Sequence, residues 1–211
     1  VKGSVIVKDF SKEKFKMNLK SNKVNVIKIL PGGVVTAKDT AEIELDANGE
    51  FIRNPEVDLV KVAVVERHQG TGNVACGFLK GYGIKEGAVA LSVAHDSHNI
   101  IVVGVNDEEM EFAVNSLIEQ EGGIVLVKEG KVIESMPMPI AGLMSDQSGE
   151  WVDQKLTDIH EKAYEELGIC GDVEPVMTLC FMSLAVIPEI KLTDMGLFDV
   201  TTFSFIPVEV E

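Results

Sequence analysis

The chain has 211 residues, 45% of them hydrophobic and 6% aromatic, so it is long enough to bury a sizeable aliphatic core and too apolar to be disordered. Its formal charge of −15 excludes a surface built for nucleic acid and speaks against an anionic membrane.

Residues 1–58 read as a β-rich segment and residues 59–211 as an α/β unit. Ser4–Lys8 alternates, Val24–Leu30 is a β-branched run, and Pro31-Gly32-Gly33 forces a turn before Val34–Thr36. Ala41–Leu45 leads into Asp46-Ala47-Asn48-Gly49, a hairpin signal because Asn-Gly tolerates positive φ. The basic block Lys12–Lys23 reads as a solvated face. Leu59–Val65 and Ala88–Ala94 are short β-branched runs and read as buried strands. Between them lies Gly70-Thr71-Gly72-Asn73, a turn, and then Val74–Lys80, read as a short helix capped by Asn73.

Ile100–Val105 is the next apolar run. Asn106-Asp107-Glu108-Glu109 then opens a helix as a capping box, with Asn106 as cap and Glu109 reaching back. Met110, Ala113, Val114, Leu117 and Ile118 recur at helical spacing, and Gly122-Gly123 ends the helix. Ile124–Lys128 and Lys131–Glu134 form a hairpin around Glu129-Gly130. Met136–Asp146 carries two prolines and is too apolar for a free linker, so it reads as a packed extended loop. A second helix is expected from about Glu150 to Leu167, with Val152, Leu156, Ile159, Ala163 and Leu167 inward and Gly168 as its stop. Met177–Leu184 and Val200–Pro207 read as further strands. The expected fold class is α/β (α+β): a mixed β-sheet flanked by helices, with an N-terminal β-rich segment.

Polar clusters follow two of the strands: Glu66-Arg67-His68 after the first, His95-Asp96-Ser97-His98-Asn99 after the second. Two adjacent strands ending this way would give a sheet a polar rim, where open α/β folds place their sites. His95 and His98 with Asp96 have the chemistry of metal ligands, but H-x-x-H in a loop lacks a specified third ligand; a polar contact surface is the plainer reading. A triad of Ser92 or Ser97 with His95 and Asp96 is disfavoured, since sequence neighbours on a strand point to opposite faces. Gly70-Thr71-Gly72-Asn73 has amides that suit an anion but lacks a P-loop lysine, so it reads as a structural turn. His160 lies beside a helical stripe and reads as a surface histidine, and Cys76 as a core residue. Cys76, Cys170 and Cys180 are far apart with no CxxC, the pattern of a reduced, cytoplasmic protein. No apolar run reaches the ~20 residues that span a bilayer, and no secretory h-region is seen.

The runs V-A-V-V-E-R-H-Q-G-T-G-N, G-F-L-K-G-Y-G-I-K-E-G-A-V-A-L-S-V-A-H-D-S-H-N-I-I-V-V-G-V-N-D, P-M-P-I-A-G-L-M-S-D and M-T-L-C-F-M-S-L-A-V-I-P-E-I-K-L-T-D-M-G-L-F-D-V closely resemble the C-terminal region of adenine deaminases of the amidohydrolase superfamily. The resemblance covers nearly the whole chain. It implies a full-length enzyme of purine salvage that hydrolyses adenine to hypoxanthine and ammonia with a divalent metal, Mn, Fe or Zn. That superfamily's ligands lie on a (β/α)₈ barrel beginning with H-x-H, a motif this chain lacks. A complete barrel takes about 250 residues, so the chain is expected to bind no cofactor itself and to be inactive alone.

The expected role is therefore to complete or cover the barrel's cleft. His95, Asp96 and His98 are the candidate auxiliary catalytic residues; Glu66, Arg67, His68, Thr71, Asn73, Ser97, Asn99 and Asp146 are the candidate cleft-lining residues. Alternatives are a non-catalytic interface or oligomerisation domain, and a stand-alone purine- or metal-binding module. The partners expected are the N-terminal barrel of the same enzyme, adenine, and a second copy in a homo-oligomer, with neither nucleic acid nor membrane.

Overall fold

A computed structural model describes residues 2–210. The strands are β1 (Lys23–Ile29), β2 (Thr36–Glu42), β3 (Glu44–Leu45), β4 (Phe51–Ile52), β5 (Leu59–Val65), β6 (Val74–Lys80), β7 (Ala88–Leu91) and β8 (Ile100–Gly104). After helix α1 (Asp107–Glu119) come β9 (Gly123–Lys128), β10 (Lys131–Pro137), α2 (Gly149–Glu165), α3 (Pro175–Cys180), β11 (Ile190–Thr193), β12 (Gly196–Asp199) and β13 (Ser204–Phe205). Eight strands make one mixed sheet in the order β10-β9-β7-β8-β5-β6-β1-β2, and β11-β12-β13 form a smaller one. The expected α+β class holds. Two strands of the 1–58 segment, β1 and β2, belong to the same large sheet as β5 to β10.

Alternation along the central strands sorts side chains to two faces. Val60, Val62, Val64, Val89, Leu91, Ile101, Val103, Ile124 and Leu126 point to the layer that holds Ile159, Ala163, Leu179, Leu192 and Leu197. Ala63, Ala88, Ala90, Ile100, Val102, Val125 and Val127 face Met110, Ala113, Val114 and Leu117 of α1. Alanines on this second face let the helix sit close, and burying its larger side chains contributes ~1.5–3 kcal/mol each.

Asn106 caps α1 as expected, its side chain accepting from Glu109 N at 2.8 Å. The reciprocal half of the capping box is absent, because the Glu109 carboxylate accepts from Gly130 N in the β9–β10 turn instead. Asn106→Ala should cost about 1 kcal/mol, which calorimetry would record as a fall in Tm of about 2–4 °C for a chain of this size.

Three expectations are corrected. Val74–Lys80 is a strand, paired with β5 in antiparallel register from Val65↔Val74 to Leu59↔Lys80. Seven apolar-rich residues fit either element by periodicity. The tight reversal through Gly70 (φ 63) and Gly72 (φ 74) decides for the hairpin. Met177–Leu184 is instead the end of α3 and a series of turns; Glu174 caps that helix and Pro175 begins it. Val200–Pro207 is mostly turn, with only Ser204–Phe205 in a strand, while the β11–β12 hairpin was not anticipated.

Candidate functional site

β5 and β7 both pair antiparallel with β8, so they run in the same direction on either side of it. Val65 lies opposite Ile100, and Leu91 opposite Ile101. The two polar clusters therefore emerge at one end of the sheet around the start of β8. The rim forms, although the strands carrying it are separated by β8 rather than adjacent.

Glu66 and Arg67 follow β5 and divide the work between them. The Glu66 carboxylate accepts from its own turn: His68 N (2.5 Å), Gln69 N (2.8 Å), Thr71 N (2.9 Å) and Thr71 Oγ1 (3.1 Å). Burial opposes its charge, but these donors outweigh it and hold the carboxyl down at about 2. The amides that could cradle an external anion are thus filled by the chain's own carboxylate. Arg67 is 1% exposed and donates Nε to His98 O (2.5 Å) and Nη2 to Ala141 O (3.1 Å), while its backbone N–H reaches Asn99 Oδ1 (3.3 Å). His68 Nε2 pairs with Ser97 O at 2.6 Å.

The second cluster is held from below. His95 N–H donates to Cys180 O at 2.8 Å, and the His95 ring lies 4.7 Å from Phe181 and 5.3 Å from His98, centroid to centroid. His98 adopts φ 54, and its Nδ1 is buried without a partner. Burial first, then His95 and Arg67, lower the His98 pKa, so the imidazole is neutral near pH 7 and able to accept a proton.

The Pro139–Asp146 loop closes over this arrangement. Ser92 Oγ donates to Gly142 O (2.5 Å) and accepts from Gly123 N (2.8 Å), fixing the loop to the end of β7. Ser92 is thus a tether, not a nucleophile. Lys2 pairs with Asp146 (3.1 Å), and Ile6 N–H donates to Arg67 O (2.8 Å), so the Lys2–Ile6 segment runs beside the rim.

Glu66, His68, Thr71 and Ser97 form one hydrogen-bonded group and Arg67, His98 and Asn99 a second beside it, with the His95 ring set edge-to-face against His98. Asp96 is exposed; Asn73 sits at the far side of the turn, its N–H on Thr71 Oγ1; Asp146 marks the outer end of the loop. Sequence reading missed Ser92 as a tether, Ala141, Gly142 and Phe181. The consecutive positive φ values at Ala141 (60) and Gly142 (70) had a weak signal in the Ala-Gly pair. Phe181 had none, because α3 alone brings it there.

No group of three or more His, Cys, Asp or Glu side chains suited to a metal exists among the described residues. With Nδ1 of His98 enclosed and Asp96 turned to solvent, His95 and His98 do not fit a metal centre. His160 bonds Leu156 O and Glu174, as an edge histidine would. Burial pushes the Cys76 thiol up to about 12, in keeping with an inert core residue. A groove of about 490 Å³ lies at the other end of β5, where Lys61 pairs with Asp107 (2.8 Å) and Lys12 with Glu108 (2.8 Å), its charges answering one another. No described helix is long and apolar enough to cross a membrane.

The chain is similar to an "Adenine deaminase 2" of Desulfotalea psychrophila, 67% identical over 208 residues, covering 99% of this chain and 36% of that protein. It is 48% identical over 211 residues to an "Adenine deaminase" of Ligilactobacillus salivarius, covering 100% and 36%. It is 45% identical over 208 residues to an "Adenine deaminase 2" of Carboxydothermus hydrogenoformans, covering 99% and 36%. The chain thus spans about a third of the length of these curated relatives. The family model described as "Adenine deaminase C-terminal domain" matches residues 33–204, and on that match the chain belongs to the adenine deaminase C-terminal domain family.

Proposed function

We propose that this chain acts as the C-terminal part of an adenine deaminase, completing the cleft of a metal-bearing (β/α)₈ barrel supplied by the rest of the enzyme. The reaction is hydrolysis of adenine to hypoxanthine and ammonia. The observation that carries the reading is the rim: two polar loops converge at one sheet end around His98, a neutral imidazole whose Nδ1 is buried. The Lys2–Ile6 segment lies beside that same rim, through the Lys2–Asp146 and Ile6–Arg67 contacts. In this reading a divalent ion held by the barrel, outside this chain, would supply the activated water. His98 and His95 accept or relay protons at the cleft's edge, and the Pro139–Asp146 loop excludes solvent.

Two measurements test it. The purified chain alone should show no adenine deamination and should restore activity when mixed with separately expressed barrel; turnover by the chain alone would overturn the fragment argument. In an adenine deaminase carrying this chain, His95→Ala and His98→Ala should each lower kcat/KM about tenfold or more. Full activity in both variants would remove the rim from the chemistry. A second reading, a purely structural interface, is favoured by apolar side chains left in solvent: Met144 on the rim loop (55% exposed) and Phe203 (73%) in the β12–β13 turn. It predicts lost assembly with unchanged turnover per assembled enzyme.

A further inference from the structure

Arg67 is a buried cation that none of the ion pairs among the described residues includes. Its neighbour Glu66 is spent on the β5–β6 turn. Both side-chain hydrogen bonds of Arg67 go to backbone carbonyls, those of His98 and Ala141. These two residues share a rare property: each is a non-glycine residue in the left-handed region, His98 at φ 54 and Ala141 at φ 60. Such backbone is held only where its surroundings over-determine it. One guanidinium therefore clamps the two strained points of two loops more than forty residues apart in sequence.

The fit is close. A Cβ on Gly142 would come 2.8 Å from Nη1, and Gly142 itself is at φ 70, so glycine is required there on two counts. The planar fork of an arginine reaches two carbonyls at once, whereas a lysine ammonium is a point donor on a flexible stem. The backbone carbonyl of Arg67 also accepts from Ile6, which attaches the Lys2–Ile6 segment to the same residue.

We propose that Arg67 is a positioning residue that couples the His95–Asn99 loop to the Pro139–Asp146 loop, so that the two open and close as one body. The coupling stands on the geometry alone; its consequence for turnover rests on the reading of the rim given above.

Hydrogen exchange on this chain reads the coupling directly. In Arg67→Lys, the His98 amide, bonded to Ala94 O, and the Leu143 and Met144 amides, bonded to Ile140 O, should all exchange about tenfold faster, the worth of one lost buried hydrogen bond. Amides of α1 and β9 should keep their protection. Loosening of only one loop, or of neither, overturns the proposal. Should the lysine variant fail to fold, Gly142→Ala, which presses on Nη1, must loosen the His98 amide as well as its own loop; an effect confined to residues 139–146 overturns the proposal equally.

The same variants in an adenine deaminase carrying this chain separate the two ideas. Arg67→Lys should lower kcat about tenfold with little change in KM, since it misplaces a group without removing a substrate contact. Coupled loosening with full turnover in both Arg67→Lys and His98→Ala leaves the coupling standing and removes the reading of the rim.

Discussion

Lys191→Met should stabilise the protein near neutral pH, with the methionine variant's relative advantage falling by about 3 kcal/mol between pH 8 and 10.5. Lys191 on β11 is wholly buried, and its ammonium donates to Val34 O at 2.9 Å. Burial pushes its pKa down from 10.5 to about 8, with no carboxylate to counter the loss of hydration. Between those two values the unfolded chain holds a proton that the folded chain has given up. The Lys191 contribution to stability therefore rises with pH across that window. Near neutral pH the folded protein carries the cost of a buried cation, which methionine, of similar length, removes. Cys76 and Cys180, each pushed up by burial to about 12, and Tyr82, also raised by burial, act in the opposite sense, keeping protons in the fold that the unfolded chain loses. They are present in both proteins and cancel in the difference. Urea unfolding of the two proteins at matched pH values measures it. A difference that stays constant from pH 7 to 10.5 would show that Lys191 keeps its charge throughout.

Much of this architecture is legible in the sequence where a pattern runs long enough to name its period. The α1 stripe and its Asn106 cap, the α2 stripe and the runs of β5, β7, β8 and β9 all fold as their spacing implies. Failures fall where an apolar stretch is short. Val74–Lys80 has no period of its own, and only its pairing with β5 makes it a strand. Met177–Leu184 is as apolar as a strand, but Glu174-Pro175 in front of it is a helix-start signal that outranks composition. The β11–β13 sheet is built from strands of four, four and two residues, too brief to alternate visibly. At the rim, both polar clusters could be found because each interrupts an apolar run. What joins them could not, since Arg67 reaches Ala141 across 74 positions. Neither the left-handed backbone of Ala141 nor that of His98 is a property of those residue types.

Glu66→Gln should destabilise the protein by about 2–3 kcal/mol at pH 7, and the loss should shrink as the pH is lowered. Glu66 is 6% exposed, and its carboxylate gathers three backbone N–H groups and one hydroxyl of the turn it begins. Glutamine keeps the shape but replaces one acceptor oxygen by a donor, which meets N–H groups already pointing inward. Because these donors hold the carboxyl at about 2 against an ordinary 4.5, the unfolded chain takes up a proton between those values and the folded one does not. The stabilisation is therefore fully present above pH 4.5 and is lost as the pH falls towards 2. Unfolding curves of both proteins at pH 7, 4.5 and 3 should converge on acidification. A gap that persists unchanged at pH 3 would mean that the turn depends on side-chain shape and not on charge. Convergence would have a consequence for the rim, because His68, held to Ser97 O at 2.6 Å, hangs from the same turn. Once the Glu66 carboxylate is neutralised, one arm of the network loses its anchor while the Arg67 arm keeps its own, so acid should free His68 before it frees His98.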